Sequence, residues 1–395
     1  MLNTPFSPWP SFTEQEITAV GEVLRSNKVN YWTGQEGRNF EKEFAQFCQC
    51  DYAIAVGNGT LALDLALQIL DIKSGDEVIV TSRTFIASIS SIINAGATPI
   101  FADVELDSQN ISARTISAVL SAKTKAIMCV HLAGWPCDMD DIMNLAEQHN
   151  LLVIEDCAQA HGTKYKGRPV GSIGHVGAWS FCQDKIMTTG GEGGMLTTND
   201  ENLWRKGWAF KDHGKSYAAV YEKQHPPGFR WLHESFGTNW RLTEMQSTIG
   251  RIQLTRMPQW FKARNANAEK IRNVCQQYDW IIVPEVPDYI EHAFYKCYVH
   301  IDLDKLPSSS SRDDIIEQVV ALGVPCFSGS CSEVYKEKAF EKTDLIPKKP
   351  LKNAILLGEN SLMFLVHPTL TVNEIEKSCQ VIKIVFDKVE QLRNK

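Results

Sequence analysis

The amino-acid sequence predicts an α/β protein with a mostly parallel sheet, and two features carry that prediction. Short β-rich runs alternate with helical patterns through about residue 200, and this alternation is typical of a parallel sheet with helices on both faces. The β-rich runs are apolar throughout, as expected of strands buried on both sides. Beyond residue 200 the pattern changes, which predicts a second, smaller α+β domain.

The elements follow from these patterns in chain order. The first region has predicted strands at 53–56, 77–80, 98–104, 126–132 and 151–156, and helices at 60–70, 87–95 and 139–149. A polar, aromatic-rich stretch at 204–240 precedes a long helix at 243–278. Further elements are strands at 293–301 and 361–368 and helices at 311–323 and 372–392. We predict a large domain over residues 1–260 and a small α+β domain over residues 261–395.

Composition excludes several classes of protein. Among 395 residues, 44% are apolar and 22% are charged, and the net charge is −7, so a globular protein is expected and a nucleic-acid binder is not. Neither a signal peptide nor a membrane span is expected. The eleven cysteines lack paired metal-type spacing and indicate reduced thiols in the cytoplasm. The acidic run at 138–141 looks like a helix start, so we predict no metal.

The turn after the first strand is a candidate phosphate site. Gly57, Asn58, Gly59 and Thr60 open a predicted helix there, where free backbone N–H groups and the helix dipole favour an anion. An ordinary glycine turn with Thr60 as N-cap explains the same residues.

Three further candidates lie beside predicted strands. Asp156, which follows Glu155 at a strand end, is either a cap or salt-bridge partner, or the partner of a protonated ring nitrogen. Phe85 is either a core residue or a platform for a ring. Ser180 lies five residues before Lys185, and its hydroxyl can bind phosphate.

Lys185 stands ahead of the glycine-rich stretch 190–194. A lysine, a phosphate-binding turn, an aromatic ring face and a carboxylate are together the four features that pyridoxal 5'-phosphate requires of its binding site. The aldehyde of that cofactor condenses with lysine, and its pyridine nitrogen requires an anionic partner.

The motifs also carry a family resemblance over almost the whole chain. They include "GDEVIVTSRTFIAS", "VIEDCAQAHGTKYKGRPVGSIGHVGAWSF", "KIMTTGGEGGMLTTND" and "FGTNWRLTEMQSTIGRIQL". In this order they resemble the DegT/DnrJ/EryC1/StrS sugar aminotransferases, which are fold-type I pyridoxal-phosphate enzymes. The resemblance implies a seven-stranded sheet sandwiched by helices. It also implies an enzyme that moves an amino group from glutamate to a nucleotide-linked keto sugar.

The same resemblance assigns roles to individual residues. Lys185 forms the Schiff base with the cofactor, Asp156 pairs with the pyridinium nitrogen, and Gln159 lies near the phenolic oxygen. The remaining implied cofactor contacts are Phe85 on the ring, Gly59, Thr60 and Ser180 on the phosphate, and Asn239 on the phosphate from the neighbouring subunit. A homodimer with shared active sites follows from the last of these, and Arg241 is a weaker candidate for a substrate or structural contact.

The implied substrate is a 4-keto-6-deoxyhexose on dTDP or UDP, used to make an amino sugar for a surface polysaccharide such as O-antigen, for another glycan or for an antibiotic. A 3-keto sugar is the alternative substrate. The alternative functions are a dehydratase, which would replace Lys185 with histidine, a non-catalytic regulator and a nicotinamide dehydrogenase. The last would require a glycine where Ala62 stands.

Some positions depart from the family pattern or keep two interpretations. Gln183 replaces a frequent proline, and the segment 323–335 lacks the usual histidine, which leaves the choice of sugar open. His161 and His213 are either substrate contacts or structural histidines. Trp32 lies in a segment, 30–37, that resembles the family's loop near the active site, and interface packing is its other interpretation.

Overall fold

The computed structural model describes residues 6–394, and a seven-stranded sheet forms its centre. Its strands stand in the order β1-β9-β8-β5-β4-β2-β3. The strands of the chain are β1 Tyr52–Val56, β2 Glu77–Thr81, β3 Thr98–Ala102, β4 Thr124–Val130, β5 Leu152–Asp156, β6 Lys164–Tyr165, β7 Arg168–Pro169, β8 Val176–Ser180, β9 Gly194–Thr198, β10 Ile281–Ile282, β11 Ile290–Glu291, β12 Cys297–Ile301, β13 Cys326–Phe327 and β14 Ser361–Phe364.

Six of the seven central strands run in one direction. β2 pairs in parallel with β3 and β4, β4 with β5, and β5 with β8. β9 is antiparallel to both of its neighbours, β1 and β8, so β1 shares the direction of the other five strands. The predicted α/β class with a mostly parallel sheet is therefore confirmed.

Helices cover the central sheet and also pack on a second, smaller sheet. They are α1 Glu14–Ser26, α2 Glu36–Cys48, α3 Gly59–Ile69, α4 Ala87–Asn94, α5 Ala113–Ser117, α6 Met139–His149, α7 Glu201–Phe210, α8 Tyr217–Tyr221, α9 Glu244–Cys275, α10 Arg312–Ala321, α11 Lys352–Asn360 and α12 Val372–Arg393. Local sequence sets several of their starts, because Thr13, Ser112, Thr243, Ser311 and Thr371 each form a capping box.

The second sheet is smaller and antiparallel, with strands in the order β10-β12-β14-β13. The end of α9 packs with α10 and α12 on it, through buried residues such as Ile271, Ile315 and Phe386. Buried residues of the segment 334–357, such as Phe340 and Leu357, instead join the core of the large sheet. The predicted division at residue 260 stays a prediction.

The two strands predicted for the small sheet are shorter than expected. The run predicted as a strand at 293–301 pairs in the sheet only from Cys297. The backbone N–H groups of Ala293 and Tyr295 instead bond to the carbonyls of Gly134 and Ala133, which ties this chain segment to the loop after β4. The second, predicted at 361–368, ends at Phe364. The sequence analysis also missed β8 and β9, whose short runs lie inside the glycine-rich motifs.

Candidate active site

The carboxyl ends of the six parallel central strands lie at one edge of the sheet, where ligands bind in folds of this kind. β5 ends at Asp156 and β8 ends at Ser180, while Gly59 follows β1 and Phe85 follows β2. Strand direction therefore gathers residues from four separate sequence motifs at the same edge.

The turn after β1 is shaped by close contact with the end of β8. Asn58 is the N-cap of α3, and its side-chain oxygen accepts the N–H of Leu61 at 2.9 Å. The alternative with Thr60 as N-cap is therefore wrong, and Thr60 lies inside the first turn. A Cβ on Gly59 would lie 2.5 Å from the Ser180 Cβ, so only a bare backbone fits between the helix start and that serine.

This arrangement suits an anion. The first N–H groups of a helix have no partner within the helix, and the helix dipole makes that end positive. Gly59 and Thr60 are the first two residues of α3, and the Ser180 side chain lies directly against Gly59. Backbone donors and a hydroxyl group therefore converge on one small region.

The two adjacent acids at the end of β5, Glu155 and Asp156, have different surroundings. Glu155 is fully buried and accepts backbone N–H groups from Gly171, Ile173 and Gly174. It also bonds to His131 Nε2 at 2.9 Å. Burial raises the pKa of Glu155, but these hydrogen bonds and the His131 contact outweigh it and lower the pKa overall. Glu155 is thus a structural acid that holds the 171–174 turn.

Asp156 faces the strand-end edge with fewer partners. Its Oδ2 accepts the Ser88 hydroxyl at 2.9 Å, and its Oδ1 accepts the Ala158 N–H at 3.1 Å. Burial raises the pKa of Asp156, while those two hydrogen bonds and the positive charge of Lys185 oppose the rise. A cationic group placed against this carboxyl would favour its charged form further.

Lys185 lies in the same region with its side chain 16% exposed. Its Nζ is 3.7 Å from Asp184 Oδ1 and 5.4 Å from the centre of the Tyr295 ring. The Tyr295 hydroxyl donates to Asp184 Oδ2. The Trp9 indole N–H donates to the Lys185 carbonyl at 2.8 Å, so the N-terminal segment holds the backbone that carries the lysine.

Backbone conformation and close packing explain why glycines follow Lys185. Gly190 and Gly191 have φ values of +92° and +124°, which side chains rarely allow. A Cβ on Gly194 would lie 2.2 Å from the Asn58 carbonyl oxygen. The glycine-rich stretch therefore lets the start of β9 pass directly under the turn that precedes α3.

Two other predicted cofactor residues flank this edge. Phe85 is 69% exposed, so the core interpretation is wrong and its ring face is open. Gln159 uses its Oε1 to accept the Ala133 N–H at 2.8 Å, which fixes the loop after β4. Its role near a phenolic oxygen stays a prediction.

The segment with Asn239 and Arg241 lies beside the end of β1, since Arg241 pairs with Val56 and the Gly57 N–H bonds to the Trp240 carbonyl. Asn239 is exposed and pairs through its backbone with Asp212. Arg241 Nη1 is 2.6 Å from Asp212 Oδ1, and the Trp32 indole N–H donates to Asp212 Oδ2 at 2.6 Å. Arg241 and Trp32 thus have contacts within their own chain, and these contacts order the segment that presents Asn239.

The two candidate histidines differ. His161 is fully buried beside the rings of Trp179 and Phe181, and burial lowers its pKa to about 3, so it is neutral at physiological pH. His213 is exposed and has a φ of +59°. The segment 323–335 reaches the strand-end loops, since the Val334 N–H bonds to the Ser82 carbonyl.

One buried group in residues 6–394 has donor atoms of the kind that bind metals. His131, Glu155 and Cys157 place such atoms within 4.8 Å of one another. His131 Nδ1 already accepts the Cys137 N–H, and Glu155 has the contacts given above. The prediction of no metal stays a prediction. All eleven cysteines are free thiols, and no helix in the described part of the chain is long and apolar enough to cross a membrane.

Comparison with known proteins identifies the family. The sequence profile of the DegT/DnrJ/EryC1/StrS aminotransferase family matches residues 10–383. The chain belongs to this family.

Similar proteins agree with that membership. An aminotransferase structure from Psychrobacter cryohalolentis is 65% identical, covers 98% of this chain and 100% of its own, and superposes with a TM-score of 0.97. A GDP-perosamine synthase from Caulobacter vibrioides is 37% identical over 88% of this chain and 90% of its own. Another, from Escherichia coli O157:H7, is 44% identical over 62% of this chain and 64% of its own length.

As a member of this family, the protein is an aminotransferase that depends on pyridoxal 5'-phosphate. The residues present fit that cofactor: the cradle at Gly59 and Ser180 has the donors for a phosphate, and the carboxylate of Asp156 lies near the amine of Lys185. Exposed Phe85 leaves a ring face free. When bound, the cofactor supplies an electron sink for carbanion chemistry.

Sequence reasoning missed several residues of this site. Ser88 bonds to Asp156, Trp9 holds the Lys185 carbonyl, and Tyr295 contacts Asp184. Ser88 lies three residues after Phe85, so its position beside a strand end was a usable signal. Nothing in the local sequence marks Trp9 or Tyr295, because their contacts join segments over 100 residues apart.

Proposed function

We propose that this aminotransferase moves an amino group from glutamate to a nucleotide-linked keto sugar, with Lys185 as its catalytic residue. The observation that carries the proposal is the anion cradle of Gly59 and Ser180, at the same strand-end edge as the buried carboxyl of Asp156, whose charged form the positive charge of Lys185 favours. In this proposal the Lys185 amine would hold the cofactor covalently, and the same amine, once the donor nitrogen has displaced it, would hold and deliver the proton that transamination moves between carbon atoms.

The other residues bind and orient. Gly59, Thr60 and Ser180 hold the phosphate, Asp156 keeps the ring nitrogen protonated, Phe85 stacks on the ring, and Gln159 lies near the phenolic oxygen. Ser88 and the Ala158 N–H keep the Asp156 carboxylate in position.

The proposed acceptor is a 4-keto-6-deoxyhexose. The sequence analysis preferred dTDP or UDP as its nucleotide, and relatives named for dTDP and UDP sugars support those two carriers. Several relatives named GDP-perosamine synthase add GDP as a third candidate. The proposed role is amino-sugar synthesis for a surface polysaccharide or another glycan, in the cytoplasm. A relative named as a spore coat polysaccharide biosynthesis protein supports that role.

Among the alternatives, a dehydratase of this fold is disfavoured because Lys185 is intact. A 3-keto acceptor stays an alternative, and one relative is named for a 3-dehydro sugar.

We further propose a homodimer in which Asn239 reaches the partner's cofactor phosphate. Exposed aromatic side chains lie just before Asn239 in the chain, with Phe229 79%, Trp231 83% and Phe236 99% exposed. Apolar surface of this extent is typical of a protein interface. Asp212 pairs with the backbone of Asn239 itself, so Asn239 is held in place directly after this aromatic stretch of the chain.

The decisive experiment is a screen of keto sugar nucleotides with glutamate. The three carriers GDP, dTDP and UDP are compared with 4-keto and 3-keto sugars, and products are read by mass and NMR. Formation of a 4-amino sugar supports the proposal, whereas exclusive 3-amination or dehydration would overturn it. Borohydride should fix the cofactor to Lys185 and block tryptic cleavage before Ile186. Labelling of Lys164 or Lys166 instead would refute the assignment.

Shared active sites are tested by subunit mixing. Lys185→Ala and Asn239→Ala chains should each be impaired, and their heterodimers should recover activity because one of the two sites is fully intact. Heterodimers that form without recovery would show that Asn239 does not act across the interface.

A further inference from the structure

A second lysine, Lys296, lies beside the proposed reaction centre without an acidic partner. Its Nζ is 4.7 Å from the centre of the Tyr295 ring, the same ring that has Lys185 Nζ at 5.4 Å. Both amines therefore lie around one aromatic ring. Within residues 6–394 no carboxylate is within salt-bridge distance of Lys296, while Asp184 pairs with Lys185 and Tyr295.

A buried guanidinium stands behind this lysine. Arg264 on α9 is 1% exposed, and its Nη1 bonds to the carbonyls of Phe294 and Tyr295 at 3.4 and 3.3 Å. Its Nε and Nη2 have no hydrogen-bond partner among the described residues. Arg264 thus holds the backbone next to Lys296 and adds positive charge that no acid neutralises.

The excess of positive charge also affects the protonation of Lys296. Burial, Arg264 and Lys185 lower the pKa of Lys296 to about 8, and Asp184 opposes them only in part. Buried unpaired charges are costly. Lys296 and Arg264 are two cations with no carboxylate in the described part of the chain paired to either of them. Such a site is suited to an anionic ligand, whose negative charge would neutralise them.

We propose that Lys296 is a substrate-binding residue that recognises a carboxylate of the amino donor, with Arg264 as the positioning residue that supports it. This inference rests on the proposed function, since it takes the amine of Lys185 as the place where the donor reacts. A donor amino acid whose nitrogen takes that place carries one carboxylate two bonds away and, in glutamate, a second at the end of its side chain.

The local shape favours a carboxylate over the diphosphate of the acceptor. Lys296 is partly buried, and Tyr295 and Arg264 next to it are buried. A small carboxylate can reach such a position. In the acceptor, the diphosphate is attached to the sugar away from the keto carbon that reacts. It leads to a bulky nucleoside, which must extend towards the open edge of the site.

The test separates the two half-reactions of the holoenzyme. Lys296→Met removes the charge and keeps the length, while Lys296→Arg keeps a charge. With glutamate alone, Lys296→Met should raise the half-saturating concentration roughly 10- to 100-fold, as expected for losing a hydrogen bond between charged groups. Lys296→Arg should keep most of the affinity. In the second half-reaction, the half-saturating concentration of the keto sugar nucleotide should stay within about threefold.

A binding measurement gives a readout that needs no turnover. Calorimetric titration of the holoenzyme with glutarate, a dicarboxylate without an amine, should show weaker binding in Lys296→Met by roughly tenfold or more. Lys262→Met, which removes an exposed lysine from the same helix as Arg264, should bind glutarate like the unmodified protein.

Unchanged glutamate and glutarate binding in Lys296→Met would overturn the inference, as would a defect confined to the sugar half-reaction, which would assign Lys296 to the diphosphate. The glutamate half-reaction needs no acceptor. If the enzyme reacts with glutamate but aminates no nucleotide sugar, the proposed acceptor fails while the donor site stands.

Discussion

Replacing Gly59 with alanine should damage both the fold and the cofactor site, and the structure gives the size of the clash. The new Cβ would lie 2.5 Å from Ser180 Cβ, 2.9 Å from its Oγ and 3.1 Å from its Cα. Cβ contacts below 3.0 Å are essentially never seen, so the start of α3 and the end of β8 must separate by at least about 0.5 Å. Overpacking of this kind typically costs about 1–3 kcal/mol.

The consequence for binding follows from the same movement. Gly59 and Ser180 are on opposite sides of the proposed phosphate cradle, and widening it lengthens hydrogen bonds that depend steeply on distance. We expect Gly59→Ala to weaken pyridoxal 5'-phosphate binding by roughly tenfold or more, since one hydrogen bond to a charged group contributes about 1.5–3 kcal/mol.

The assay compares apo-protein unfolding and cofactor binding in four variants. Gly57→Ala is the matched control from the same turn, because its Cβ would meet only Leu61 Cδ1 at an ordinary 3.5 Å. Ser180→Gly removes the two nearest atoms of the clash. The double variant Gly59→Ala/Ser180→Gly should therefore regain much of the stability lost in Gly59→Ala, although it should not regain phosphate affinity. Equal stability of Gly59→Ala and Gly57→Ala, or no coupling between positions 59 and 180, would refute the reasoning.

Two further predictions concern charge. Asp156→Asn keeps groups that can bond to Ser88 and Ala158 but loses the anion, so the apo-protein should stay as stable within about 1 kcal/mol. The rate of the glutamate half-reaction should fall roughly 10²- to 10³-fold, and an unchanged rate would reduce Asp156 to a strand-end cap. Glutarate binding should weaken as pH rises through about 8, where Lys296 loses its proton, by up to about tenfold per pH unit above it. Lys296→Arg should flatten that profile because its guanidinium stays charged. The other charged or titratable groups around Lys296, namely Asp184, Lys185, Arg264, Tyr295 and His367, are the same in both proteins, so a profile shared by both would assign the pH effect to one of them.

The sequence by itself determined the class of fold and the order of its elements. Apolar strands that alternate with helical patterns can bury both faces only in a sheet covered by helices, and the strands from Tyr52 to Asp156 appeared within about two residues of their predicted ends. Strand direction then placed Gly59, Phe85, Asp156 and Ser180 at one edge, so most of the candidate site was predictable from motifs next to strand ends.

Only the tertiary structure decided which of two similar neighbours faces that edge. Glu155 and Asp156 are adjacent acids, and the pattern alone allowed either a structural or a functional role. Successive side chains of a strand point to opposite faces, and packing directs Glu155 to the 171–174 turn while Asp156 meets Ser88. Likewise, the cap of α3 went to Asn58 rather than Thr60 because a side-chain hydrogen bond fixes the helix start.

The tertiary structure also decided the contacts made across long sequence separations. Lys296 and Lys185 meet at one ring, and Trp9 reaches the Lys185 carbonyl, yet no periodicity or local motif links these positions. Such contacts depend on how the small sheet and the N-terminal segment pack against the large one. Because that packing is set by side-chain shape over the whole molecule, the sequence pattern could name the reactive lysine but not its neighbours.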